Sequence, residues 1–108
     1  IITTDHGTIN AQNPSKVIGD KNTSLNLRYK TGKSLTYEDK DVIAAKNPKD
    51  FHLPSINMSS SYIFAKGDLF FAYPNNYNHY VSYYRNTYQH GGVSLEEMVI
   101  PFSVLSPR

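Results

Sequence analysis

The 108-residue chain contains no cysteine, which excludes disulfides and any thiolate-bound metal. That usage fits the cytoplasm, and a cytoplasmic protein is the expectation. Nowhere does the chain approach the roughly 20 consecutive apolar residues that a spanning helix needs, and no signal-peptide pattern is present, so no membrane role is expected. Charge of one sign is scarce too: 11 Lys and Arg against 9 Asp and Glu leave a net charge of +2. The basic residues are scattered, so charge alone gives no nucleic-acid footprint. Apolar residues make up 39% of the chain with nine tyrosines counted in, below the roughly 45–50% of a typical globular domain. Internal repeats and low-complexity tracts are lacking. The first residue is Ile1 rather than Met and opens what reads as a core strand. In a chain of one domain's length or less, this leads us to expect a piece of a longer protein, with an apolar face where the remainder belongs.

What is present concentrates at the two ends. Ile1-Ile2-Thr3-Thr4 reads as a buried β-branched strand, followed by Asp5-His6-Gly7. A carboxylate beside an imidazole suits a zinc-class cation, and the glycine permits a sharp turn next to it. The same three residues also suit an ordinary Asp-containing turn. Near the other end stands Gln89-His90-Gly91-Gly92-Val93-Ser94-Leu95-Glu96-Glu97-Met98-Val99-Ile100-Pro101. His90 precedes a glycine pair that lets the backbone approach a partner closely, and it reads either as a metal ligand or as an exposed loop histidine. Ser94 and Glu97 spell a capping box that starts a short helix, and the apolar run from Val99 to Leu105 returns as a strand.

Between the ends, Thr8 to Pro14 reads as turn-like and Ser15–Ile18 as a short strand. Leu25, Leu27 and Tyr29 alternate with Asn26, Arg28 and Lys30, the period of a half-buried strand with its cations outward. Lys21, Asn22 and Arg28 form a candidate phosphate-binding edge, since Arg and Lys both hold phosphate oxygens. The alternative is a plain solvent face. A short helix is expected over Asp39–Lys46, started by Thr36 and Asp39, then a loop over 48–61. His52 in that loop has only Asp50 at ligand spacing and is not expected to bind metal. Tyr62–Ala65 and Leu69–Tyr73 read as a β-hairpin around Lys66-Gly67-Asp68. Asn75 or Asn76 would cap a helix from about Tyr77 to Thr87, with Tyr77, Tyr80, Val81, Tyr84 and Tyr88 as one aromatic stripe. The stripe reads as core or interface, with base stacking as the alternative. His79 lies off it and is expected in solvent, and the helix is expected to deliver His90.

Thr-Asp-His-Gly at the start and His-Gly-Gly-Val-Ser-Leu-Glu-Glu-Met-Val-Ile-Pro at the end together resemble the C-terminal half of a PglZ domain of the alkaline-phosphatase superfamily. Val17-Ile18-Gly19-Asp20-Lys21-Asn22, Asn26–Lys30 and Phe71–Tyr77 are most similar to the PorX-type response regulators, in which a receiver domain precedes a PglZ effector domain. The resemblance covers essentially residues 1–108 as one fragment. It implies an α/β fold, the C-terminal portion of an alkaline-phosphatase-like mixed sheet with flanking helices. It further implies two zinc ions per complete domain, with Asp5 and His6 on one and His90 on the other. The nucleophile and remaining ligands would precede this stretch, so Thr3 and Thr4 are not candidates. The implied activity is phosphodiester cleavage, oligonucleotides included, in a regulator of type IX secretion whose partners are a sensor kinase and other secretion regulators. The competing implication is a non-catalytic, dimerising, protein-binding output module.

Overall fold

The strand Leu69–Ala72 (β8) explains why the chain folds as it does. Its sequence, Leu-Phe-Phe-Ala, is apolar at every position, the pattern of a strand buried on both faces. In the computed structural model, which describes residues 1–55 and 58–108, neighbouring side chains of this strand enter two different cores. Phe71 packs with Val17, Val42, Ile63 and Ala65, while Phe70 packs with Ala11, Ala72 and Val81. Alternation along one strand therefore supplies both layers.

The remaining elements follow from that sandwich. Strands are Ile2–Thr3 (β1), Ile9–Ala11 (β2), Asn13–Ile18 (β3), Tyr29–Gly32 (β4), Thr36–Tyr37 (β5), Val42–Ala45 (β6) and Ser61–Ala65 (β7), with Thr87–Gln89 (β9) and Phe102–Ser103 (β10) near the end. The helices are Tyr77–Tyr84 (α1) and Leu95–Met98 (α2). β8 lies parallel to β3, whose other edge takes β5 antiparallel, so that small sheet is mixed. β7 sits between β4 and β6 in an antiparallel sheet that closes the first core. α1 covers the second core through Val81. The result is a mixed α/β fold of four small sheets and two helices among the described residues.

Several sequence expectations are corrected here. Ser61–Ala65 and Leu69–Ala72 are both strands but not a hairpin, because each finds a longer-range partner in a separate sheet. Asp39–Asp41 is only a 3-10 turn, and the β-branched Val42-Ile43 continues as β6 rather than as helix. Asn13 and Pro14 belong to β3, paired with Leu69 and Phe70. Pro48–Phe51 forms a 3-10 turn inside the expected 48–61 loop, of which residues 56–57 lie outside the described residues. α1 stops at Tyr84 because Arg85 turns extended and Asn86 becomes left-handed (φ 62°), freeing Thr87–Gln89 to pair with β2. Tyr88 thus leaves the aromatic stripe. β1 is paired with β10 but exposed, with Ile1 and Ile2 open beside Phe102, Val104 and Leu105.

The largest correction concerns 25–30. Arg28 and Lys30 are the buried residues and Leu25 is 88% exposed, the reverse of the apolar alternation. Backbone bonds fix this register: Leu27 O accepts from Phe71 N–H at 2.8 Å, and Arg28 O accepts from Ala65 N–H at 2.9 Å. The chain is thereby clamped between the two sheets with its cations inward.

Because Phe70 and Phe71 anchor separate cores, Phe70→Ala and Phe71→Ala should each destabilise the fold by about 3–5 kcal/mol. Urea denaturation followed by tyrosine fluorescence measures both, and a loss below about 1 kcal/mol for either would contradict the two-core arrangement.

Candidate metal centre and its buried support

Strand register brings the two ends of the chain together. β2 pairs antiparallel with β9, Ile9 facing Gln89, so the residues just before Ile9 run alongside those just after Gln89. His6 and His90 meet there, their imidazoles stacked with centroids 3.8 Å apart and planes 14° from parallel. β9, not α1, delivers His90. Asp5 Oδ1 lies 3.6 Å from His6 Nε2. Asp5 is exposed, and His6 is about one-third open to solvent.

The His6 tautomer follows from its surroundings. Nδ1 lies 2.8 Å from Gly7 O, which can only accept. Nδ1 therefore carries a proton, and Nε2 lies on the Asp5 side of the ring. A backbone carbonyl holding one imidazole nitrogen while the other faces outward is the arrangement metal-ligating histidines use. Asp5, His6 and His90 offer one carboxylate and two imidazoles, a donor set suited to zinc. They do not close around a common point: among the described residues, no three His, Asp or Glu side chains gather closely enough to hold an ion.

The support beneath these residues is Glu97. Its carboxylate is 3% exposed and accepts from Arg28 Nε at 3.1 Å, Arg28 Nη2 at 2.6 Å, Ser94 Oγ at 2.7 Å and Gly92 N–H at 2.6 Å. Ser94 N–H adds the reciprocal half of the capping box at 3.4 Å. The backbone carbonyl of Glu97 accepts from Gly7 N–H at 2.8 Å. One residue thus ties down the turn after His6 and the loop after His90 together. Glycine is required at both contacts. A Cβ on Gly7 would sit 1.9 Å from Glu96 O, and one on Gly92 would sit 2.6 Å from Glu97 Oε1.

Arg28 is fully buried, and its remaining Nη1 donates to Leu69 O. Its guanidinium has no open face toward a substrate phosphate, which corrects both sequence expectations for it, phosphate edge and solvent face. Lys21 is exposed at the tip of the turn closed by Thr23 N–H and Asp20 O, and makes no hydrogen bond or ion pair with Asp5, His6 or His90. Asn26 was the residue missed: its Nδ2 donates to His90 O at 3.2 Å, and its Oδ1 accepts from Arg28 N–H at 2.7 Å. An Asn three residues before a strand start gave the sequence cue, as an Asx-type cap. His52 ends its 3-10 turn in an exposed left-handed position, and exposed His79 packs on Tyr80 and Tyr83.

Residues 1–105 match the BREX system PglZ alkaline phosphatase-like domain. The chain belongs to the PglZ family, so its Asp5-His6 and His90 ends are parts of an alkaline phosphatase-like domain. A comparison with curated proteins finds no match. No helix among the described residues is long and apolar enough to cross a membrane.

Burial alone would raise the Glu97 carboxyl, but hydrogen bonds from Arg28, Ser94 and Gly92 together with the Arg28 charge outweigh it and hold the carboxyl below its ordinary value. A carboxyl lowered on folding contributes stability that is present above the unfolded value, about 4.5, and is lost as pH falls through the folded value. Wild type should therefore lose stability steeply below about pH 4.5, and Glu97→Gln should start less stable and decline less steeply there. Arg28→Ala at neutral pH should cost about 3–5 kcal/mol by stranding a buried carboxylate, with the His6 and His90 C2–H resonances shifting as the ring stack loosens. Unchanged resonances would show that Glu97 and Arg28 do not position the pair.

Proposed function

We propose that this chain contributes one side of a two-zinc phosphodiesterase centre, as the C-terminal portion of a PglZ effector domain. The observation that carries the reading is the meeting of His6 and His90 from opposite ends of the chain, Asp5 beside them. Asp5 and His6 would hold one ion and His90 the second. When bound, a metal pair supplies Lewis-acid stabilisation of the attacking and leaving oxygens of an in-line displacement. The chain's own residues set the geometry: Gly7 O fixes the His6 tautomer, Asn26 holds the His90 carbonyl, and Glu97 locks both turns.

Three donors are too few for two four-coordinate sites. The reading therefore has the remaining ligands and the nucleophile supplied by polypeptide outside residues 1–108. Of the two cations considered for phosphate, Lys21 is the one with an exposed ammonium, and Arg28 acts from behind as support. A PorX-type setting, with a receiver domain, a sensor kinase and secretion regulators as partners in the cytoplasm, is the context we favour from the motif similarity. The open apolar strip of β1 and β10 favours a further role in contact with more polypeptide, a second copy included.

In the complete domain, His90→Ala should lose about one zinc per chain while Asp5→Ala impairs the other site. Metal content by mass spectrometry, alongside hydrolysis of a chromogenic phosphodiester, separates the two. Full zinc content and normal hydrolysis in both variants would overturn the assignment.

A further inference from the structure

A second site lies at the C-terminal ends of the parallel pair β3 and β8, beside Leu25 and Leu27. A cavity of about 630 Å³ opens there, within the roughly 300–1,000 Å³ of small-molecule pockets. Carboxyl ends of parallel strands are where open α/β sheets bind ligands. Its walls are apolar and aromatic: Ile18, Leu27, Ala72, Tyr80 and Tyr84. Among the described residues, Lys30 is the one charged group lining it.

Lys30 is the anomaly. It is 1% exposed, yet no carboxylate pairs with it among the described residues. Its ammonium donates to Ser24 O at 3.0 Å and lies 4.9 Å from the centre of the Tyr73 ring. Asp20 bonds within its own turn, to Asn22 N–H at 2.9 Å and Thr23 Oγ1 at 3.4 Å. A buried ammonium with one neutral acceptor has donors left over and carries an uncompensated desolvation cost. Burial accordingly lowers Lys30 to about 8. Burial, then the Asp20 charge, raises the neighbouring Tyr73 hydroxyl. Tyr73 therefore stays neutral and provides no counter-charge.

We propose that this cavity binds a small organic anion with a flat apolar body, its carboxylate or equivalent group pairing with Lys30 and its rings against Tyr80 and Tyr84. The anion supplies the missing counter-ion, and the aromatic walls suit stacking and edge contacts. The inference is independent of the metal-centre reading, since none of Asp5, His6 or His90 lines the cavity.

The test uses naphthalene-2-carboxylate and the neutral naphthalene-2-methanol, titrated calorimetrically into the full chain at neutral pH. The carboxylate should bind tenfold or more tighter, the worth of about one charge-assisted hydrogen bond. Lys30→Met should bind both equally. That variant should remain folded, because replacing an unpaired buried charge with an apolar chain of similar length removes a desolvation cost. A second measurement needs no variant: saturating carboxylate should raise the midpoint of thermal unfolding of the wild type, and the neutral alcohol at the same concentration should raise it less. Equal affinity of the two ligands for wild type, no binding, a preference surviving in Lys30→Met, or equal thermal shifts from the two ligands would each overturn the proposal.

Discussion

The buried pair of Arg28 and Glu97 is the constraint on which the two ends of the molecule depend. The partners are 69 positions apart, and their charged atoms approach to 2.6 Å with both side chains essentially sealed from water. A pair that deep must recover a large desolvation cost, and does so only if the remaining lone pairs and protons are also satisfied. Here every charged nitrogen and oxygen of the pair has a protein partner, with Ser94 and Gly92 adding to Glu97 and Leu69 O to Arg28. The satisfaction is geometric rather than merely energetic. Each donor to Glu97 comes from a segment that must stay where it is for His6 and His90 to meet.

Two devices therefore converge on the same point. The β2–β9 register sets which residues run side by side, and a one-residue slip would turn every side chain of those short strands over. Three-residue strands hold register weakly on their own. The Glu97 network supplies the missing specificity, holding the Gly7 amide from one side and the Gly92 amide from the other. This division of labour suits a metal centre. The donor atoms stay at the surface where an ion and its substrate arrive, and the polar network that orients them stays dry, where each hydrogen bond is electrostatically stronger.

The parts of this arrangement legible in sequence were those with local causes. Ser94 and Glu97 announced a helix start, Leu69–Ala72 a strand, and the Gly91-Gly92 pair close backbone approach. Existence of the elements at 61–65, 69–72 and 77–84 followed from composition and period. What failed were features whose cause lies far along the chain. Nothing near Lys66-Gly67-Asp68 tells that its flanking strands prefer β4, β6 and β3 to each other. Alternation at 25–30 pointed the cations outward because their partners, Glu97 and the pocket under Tyr73, are not in the window. The capping box was read correctly, but its glutamate had a second, larger task invisible at that range.

Arg28 and Lys30, two residues apart and both buried, show how differently one short segment can use two cations. The guanidinium is a rigid fork whose Nε and Nη2 converge on Oε1 of Glu97 while Nη1 reaches the Leu69 carbonyl. Each of its three nitrogens therefore has a protein acceptor, and its charge has a carboxylate partner. The ammonium of Lys30 is a compact charge that is costly to bury and simple to discharge, and its protein partners are one carbonyl and one ring face. A lysine kept buried only to stiffen the fold would gain more from a carboxylate neighbour, and Asp20 is close enough to bear on Tyr73 yet bonds elsewhere. The incomplete pairing of Lys30 therefore sets it apart from the structural role of Arg28 and makes it, among the described residues, the one buried charge whose environment calls for something from outside the chain.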